Sequence, residues 1–509
     1  MAFENMLDDL AQRKAKALAM GSAEKLAKRK SLGILNARER LDALLDTNTF
    51  YESGLFATSH RPEVADRTPA DGKIAGIGKI DNRSVAVVSN DFTVMGASSS
   101  VVNGKKIRQM REIASRNGMP LIFLGESAGA RMPDRMGATG RAILGQDPTE
   151  YQRLRESPWV TALLGECYGS STWYACMSDF VVMRKGARMA VASDRVTSMA
   201  INQPVDPEDL GGWKLHSEQT GLIDAVAETD EEALQIVRKY LSYLPSHHQA
   251  PAPETDIAPG SDQGCQDILN IVPEDRNKVY DVRKVIKAMT DKDSLFELKP
   301  RFGKSITTAL ARIGGQTVGV LANNPLFKGG AIDVDACDKA TSFLVMCDSF
   351  NVPLIFLVDQ PGFLIGIEGE KRRAPSKIIN WMNALSLVTV PKISIIMRKS
   401  YGQAFLNMGG GRNSDAVICW PMADLGFMAP EVAVNVLFGV KQGSERFDEL
   451  VEQVSRDAAA WNLAALHESQ YLIDPRETRD LLLHLLSVHG SKLGRKVGLH
   501  RLSNWPTSY

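Results

Sequence analysis

Two pairs of glycine turns are the parts of this 509-residue sequence best suited to chemistry. In the first pair, Glu126-Ser127-Ala128-Gly129-Ala130-Arg131 follows the apolar run Leu121 to Leu124, and Asp359-Gln360-Pro361-Gly362-Phe363 follows Leu354 to Leu357. Glycine directly after a strand accepts backbone angles that other residues resist and lets a ligand approach the main chain. In the second pair, Tyr168-Gly169-Ser170-Ser171 and Tyr401-Gly402-Gln403-Ala404 each stand between an apolar run and a predicted helix. Main-chain N–H groups at such a helix start have no internal partner and favour negative charge, so these turns are candidate oxyanion holes. The plainer reading is that each glycine only makes a turn. Gly125-Glu126-Ser127-Ala128-Gly129 also matches G-x-S-x-G, which would make Ser127 a nucleophile with His216 or His467 as its base. Against that, the second copy carries Gln360 at this place, and no H-G-G segment precedes the serine.

The elements that position these turns occur twice, at an offset of 233 residues. Ile80–Gly129 overlays Ile313–Gly362 without a gap, placing Pro120-Leu121-Ile122-Phe123-Leu124 on Pro353-Leu354-Ile355-Phe356-Leu357, Asn90 on Asn323 and Gly129 on Gly362. Tyr168-Gly169 falls on Tyr401-Gly402, and after three extra residues Ser178-Asp179 meets Ser414-Asp415. So long a period means a duplicated domain, since solenoid repeats run to roughly 20 to 50 residues. Each half reads as a strand pair (Ser84 to Ser89; Thr317 to Ala322), a helix (Lys105 to Asn117; Asp338 to Phe350) and a short apolar strand ending at glycine. That alternation predicts an α/β fold with a buried, mostly parallel sheet. Residues 1 to about 46 predict a helical arm, and amphipathic helices are expected again from Phe447 to Ala465 and from Arg476 to Val488. The expected division is an N-terminal domain over 1–252, a proline-rich linker over 253–270 and a C-terminal domain over 271–509.

Composition narrows the function. The 60 basic and 60 acidic residues cancel, which removes any global electrostatic case for nucleic acid or an anionic membrane surface. Six cysteines without a C-x-x-C pair point to free thiols in a reducing compartment and to no structural zinc; the expected address is the cytoplasm. No apolar run approaches the roughly 20 residues of a membrane span. Dinucleotide and P-loop fingerprints are absent, and Gly409-Gly410-Gly411 reads as a loop.

With these residues in view, the sequence resembles the carboxyltransferase (beta) subunits of biotin-dependent acyl-CoA carboxylases, such as propionyl-CoA and methylcrotonyl-CoA carboxylase. The resemblance runs through Ala37-Arg38-Glu39-Arg40-Leu41, Asp91-Phe92-Thr93-Val94, Glu208-Asp209-Leu210-Gly211-Gly212, Asp359-Gln360-Pro361-Gly362-Phe363-Leu364, Arg398-Lys399-Ser400-Tyr401-Gly402 and Asp474-Pro475-Arg476-Glu477-Thr478-Arg479. It implies two tandem crotonase-like domains, a hexamer in which the N domain of one subunit faces the C domain of another, and transfer of a carboxyl group from carboxybiotin to the α (or vinylogous) carbon of an acyl-CoA. No Met-Lys-Met biotinylation motif is present, so the resemblance also implies a partner subunit with biotin carboxylase and biotin carboxyl carrier functions. By the same resemblance, Gly169 and Ser170 match the pair that stabilises the biotin ureido oxygen, and Gln403 and Ala404 the pair for the thioester enolate. Gly129, Ala130, Gly362, Phe363, Leu406 and Tyr168 would line the substrates, and no metal is required.

Both turns depart from the family pattern. Cys-Ala-Gly-Gly is Cys167-Tyr168-Gly169-Ser170 here, and Gly-Gly-Ala-Tyr-Asp is Gly402-Gln403-Ala404-Phe405-Leu406. Leu406 replaces an aspartate that propionyl-type members associate with acyl selection, so a bulkier or differently shaped acyl group is expected. Tyr168 and Trp173 are candidates to narrow the biotin side. The alternatives within the resemblance are a biotin-dependent decarboxylase or transcarboxylase and a non-catalytic paralogue; outside it stands the Ser127 hydrolase.

Overall fold

Strong apolar runs in this chain become strands buried on both faces. A computed structural model describes residues 2–142, 148–490 and 496–506. Two compact units emerge, one reaching His248 and including Pro506, the other spanning Gln249–Trp505.

The first unit holds an eight-stranded sheet: β1 (Tyr51–Ser53), β2 (Lys73–Ile80), β3 (Arg83–Asn90), β4 (Leu121–Ser127), β5 (Trp159–Tyr168), β6 (Phe180–Arg184), β7 (Arg188–Ala190) and β8 (Ala225–Ala227). The order is β1-β2-β3-β4-β5-β6-β8, with β7 on the end of β5. Pairing is antiparallel from β1 to β3 and parallel beyond. The second sheet repeats it with β9 (Phe296–Leu298), β10 (Ile306–Ile313), β11 (Gln316–Asn323), β12 (Leu354–Gln360), β13 (Lys392–Tyr401), β14 (Ala416–Cys419), β15 (Asp424–Gly426) and β16 (Tyr471–Leu472). Adding 233 to the bounds of β2 to β5 gives the bounds of β10 to β13 residue for residue. The duplication seen in the sequence is therefore a duplication of the sheet centre, where packing on both faces tolerates no insertion.

The helix Val101–Asn117 starts with a capping box between Ser100 and Asn103 and ends at Gly118 in the left-handed region. Its counterpart Val334–Ser349 is capped by Asp333, which accepts from Ala336 N–H. Both begin four residues earlier than periodicity predicts. The caps fix those starts, while Val334–Ser349 is buried on nearly every face and so shows little amphipathic period.

The N-terminal arm is three helices, Ala2–Leu18, Ala23–Ser31 and Ala37–Leu44. The last buries Ala37, Arg40, Leu41 and Leu44 in the first unit. After His248 the chain packs on the second unit: Thr255 N–H donates to Gly315 O at 3.0 Å, and Cys265 and Ile268 enter the second core with Val285, Ile286 and Trp420. The later amphipathic stretches form Glu445–Asp457, Ala460–Ala465 and Thr478–His489. Among the described residues no helix is long and apolar enough to cross a membrane.

Candidate active site

β4 and β12 deliver the first pair of turns, and the main chain holds both in the same way. Ser99 N–H donates to Gly129 O at 2.8 Å and Arg131 N–H to Ser99 O at 2.9 Å. In the other unit Ile332 N–H donates to Gly362 O at 3.1 Å and Leu364 N–H to Ile332 O at 2.8 Å. Gly129 and Gly362 lie at φ 100° and 118°, a region that side chains disfavour. Asn90 and Asn323, identical across the repeat, brace these strand ends: Asn90 Nδ2 donates to Glu126 O at 2.9 Å, and Asp359 N–H donates to Asn323 Oδ1 at 3.2 Å.

Below each turn sits a buried carboxylate. Glu126 is bridged by Arg29 at 2.8 Å and Arg40 at 2.6 Å, and Arg40 also meets Asp230 at 2.9 Å. Burial raises the Glu126 carboxyl, but Arg40 and Arg29 outweigh it and hold the group below its ordinary value. Asp359 receives Arg398 Nε at 2.8 Å and the Tyr280 hydroxyl at 3.0 Å. Sequence reading passed over these clamps; the available signal was an acid at the same register position in both halves.

A second omission was Lys106 and Lys339, also identical at the offset. Lys106 Nζ donates to the carbonyls of Gly54, Ala70 and Lys73, and Lys339 Nζ to those of Lys299, Phe302 and Ile306. Burial lowers both ammonium groups, to about 8 and about 7 respectively. Three acceptors match the three protons of the charged form. Each lysine ties its helix to the start of an equivalent strand, β2 or β10.

β5 and β13 end at the second pair of turns. Gly169 and Gly402 have φ of 64° and 66°, so the turns share one shape. Each introduces a helix, Ser170–Met177 or Ala404–Asn407. Among the described residues, the N–H groups of Gly169, Ser170 and Ser171 have no hydrogen-bond acceptor, and neither do those of Gln403 and Ala404. A Cβ built on Gly169 would meet only Gly129 Cα, at 3.7 Å, and one on Gly129 only Tyr168 Cβ, at 3.9 Å. The space over the first turn is open, and its donors can take an oxygen.

The side chains around the two turns differ in kind. Ser99 and Ser170 hydroxyls lie 2.5 Å apart beside the first turn. At the same register the second unit carries Ile332 and Gln403. Leu406 is half-buried against Gly411, and Phe427, whose carbonyl approaches Gly402, is exposed. Gln403 and Ala130 are exposed, Phe363 is half-buried and Ala404 is buried. Tyr168 is buried; burial, with Glu166 and Asp194, pushes its phenol up to about 12. Trp173 is 39 % exposed.

Ser127 is not presented as a nucleophile. It is fully buried, and its Oγ accepts from Gly129 N–H at 3.1 Å, capping its own turn. His216 is occupied by Met189 O at 2.7 Å and Thr220, while His467 belongs to the second unit. Arg131 likewise turns inward, to Asp71 at 2.5 Å. Among the described residues no group of three His, Cys, Asp or Glu side chains could hold a metal ion.

Comparison with known proteins decides what this duplicated framework belongs to. The profile of the carboxyl transferase domain matches residues 28–492. The chain belongs to the carboxyl transferase domain family. As a family member it is an acyl-CoA carboxyltransferase with two crotonase-like domains. It is 32% identical to the propionyl-CoA carboxylase carboxyltransferase subunit of Haloferax mediterranei over 97% of each chain. It is 30% identical to the methylmalonyl-CoA decarboxylase alpha subunit of Veillonella parvula over 96% of each. A solved structure of transcarboxylase 12S, described as a hexamer assembly with methylmalonyl-coenzyme A and methylmalonic acid bound, superposes with a TM-score of 0.89 at 33% identity, covering 96% of each chain.

Proposed function

We propose that this carboxyltransferase moves a carboxyl group between carboxybiotin, carried on a separate subunit, and the α or vinylogous carbon of an acyl-CoA. The observation that carries the reading is the pair of register-equivalent glycine turns, each with adjacent N–H groups that have no acceptor. When bound, carboxybiotin supplies the activated carboxyl group. The donors of Gly169 and Ser170 hold the ureido oxygen, and the open space above Gly129 and Gly169 fits a planar carbonyl there. Gln403 and Ala404 N–H groups hold the thioester oxygen and take up its negative charge as the α-proton leaves. Gly129, Ala130 and Tyr168 border the first ligand; Gly362, Phe363 and Leu406 border the second. No side-chain nucleophile is required, which agrees with the inward-facing Ser127. The working assembly is a homo-hexamer with a biotin carboxylase and biotin carboxyl carrier partner. Six free thiols suit the cytoplasm.

A second reading, the reverse reaction of a biotin-dependent decarboxylase or transcarboxylase, is supported by the Veillonella relative's name. Oxyanion donors serve both directions, since they stabilise the shared transition state. Native pull-down with avidin blotting tests the proposal. Recovery of a biotinylated, ATP-binding partner supports the carboxylase, a biotinylated carrier with membrane subunits supports the decarboxylase, and recovery of no biotinylated protein overturns both.

A further inference from the structure

The two second-pair turns share φ angles and register, yet they offer different numbers of donors, and one hydroxyl accounts for the difference. β13 ends with Tyr401 paired to Gly426 of β15, and Gly402 N–H donates to Gly426 O at 3.0 Å. β5 ends with Tyr168 paired to Ala190 of β7, the equivalent place, but Gly169 N–H makes no such bond. There, Ala190 O instead accepts from Thr172 Oγ1 at 2.8 Å. The same hydroxyl also lies 3.0 Å from Cys167 O, so its one proton joins two carbonyls that flank the turn. Residue 405, which stands at the register of Thr172, is phenylalanine and has no hydroxyl to do this.

We propose that Thr172 is a positioning residue that occupies Ala190 O and so keeps Gly169 N–H free as a third donor of the first turn. The inference rests on the functional reading above and deepens it: it assigns the three-donor turn to the ureido oxygen and the two-donor turn to the thioester oxygen. A partly buried carbonyl such as Ala190 O favours a donor from the protein. Without the hydroxyl, Gly169 N–H is the group in line to supply one, as Gly402 N–H does in the second unit. The threonine acts through the main chain and touches no substrate. It is half of a local choice between an inward and an outward use of one amide.

The test is a crystal structure and kinetics of Thr172→Val and Thr172→Ser in the full chain. In the valine variant Gly169 N is expected within about 3.2 Å of Ala190 O, and in the serine variant it is expected to stay free. Carboxyl transfer from a carboxyacyl-CoA to free biotin is expected to fall roughly ten- to a hundredfold in kcat for Thr172→Val. The acyl-CoA KM is expected to hold, and Thr172→Ser to restore kcat. If Gly169 N–H remains unpaired in the valine variant, or if valine and threonine enzymes have equal kcat, the inference is overturned. Failure of the wild-type chain to transfer carboxyl groups from any carboxyacyl-CoA would instead remove the functional reading, and the valine crystal structure would still decide the role of Thr172.

Discussion

Glu126 and Asp359 occupy one position in two copies of the same sheet, and each is neutralised beneath a glycine turn by arginines that arrive along different routes. Arg29 and Arg40 reach Glu126 from the N-terminal arm, whereas Arg398 reaches Asp359 from the adjacent strand β13. A turn that presents main-chain donors must not drift, and a buried ion pair under it resists displacement. The arm is thereby tied to the site electrostatically as well as by its apolar face.

Breaking one clamp leaves a buried charge without its strongest partner. Arg398→Met is expected to destabilise the second unit by about 3 to 5 kcal/mol, because Asp359 keeps only Tyr280, Lys399 and main-chain contacts. Denaturant titration followed by Trp fluorescence measures it; a loss below about 1 kcal/mol would count against the clamp.

Acid should act on the other clamp. Glu126 has a native pKa below its ordinary 4.5, so its stabilising contribution is complete above that value and is lost as pH falls through the lower native one. Stability of the wild-type chain should decline with acidification below about pH 4.5. Glu126→Gln should flatten that decline while lowering stability at neutral pH, where Arg29 and Arg40 lose their shared anion. Thermal melts across pH 3 to 7 compare the two.

Loss of Lys339 should be costly. Lys339→Met removes the Nζ donor from the carbonyls of Lys299, Phe302 and Ile306, of which Lys299 O still accepts from Phe302 N–H at 3.2 Å. At roughly 1 to 3 kcal/mol for each buried group left unsatisfied, a loss of at least about 2 kcal/mol is expected. Lys106→Met should behave likewise in the first unit, and calorimetry of both variants checks whether the repeat is energetically equivalent.

Main-chain geometry, rather than side-chain chemistry, should control turnover. In Gly402→Ala the new Cβ lies a tight 3.3 Å from Phe427 O at a φ of 66° that side chains disfavour, so the turn is strained. kcat should drop about 10² to 10³-fold, as when an oxyanion donor is lost. Gly402→Pro also loses the N–H bound to Gly426 O and should abolish activity. Full activity in folded, oligomeric Gly402→Pro enzyme would defeat the assignment.

The acyl pocket is the place to look for substrate preference. Leu406 is apolar and half-buried, and by the family resemblance it stands where propionyl-type members are expected to carry aspartate. Turnover of acetyl-, propionyl- and longer or branched acyl-CoAs should favour the larger groups, and Leu406→Asp should shift preference toward propionyl-CoA. Strict propionyl-CoA preference in the wild type would contradict this.

What the sequence determined by itself was set by local chemistry and by repetition. The offset of 233 residues located β3, β4 and the end of β5 with their counterparts β11, β12 and β13, because central strands packed on both faces cannot gain or lose a residue without disturbing the core. The glycines at 129, 169, 362 and 402 were legible because positive φ strongly favours glycine. Tertiary structure decided the rest. That Glu126 belongs to Arg29 and Arg40, that Lys106 serves three carbonyls, and that Thr172 rather than Gly169 bonds Ala190 O all depend on groups distant in sequence or on where one proton points. Periodicity and spacing report which face of an element is apolar. They do not report which donor a given acceptor takes, and at these turns that choice sets how many amides remain unpaired.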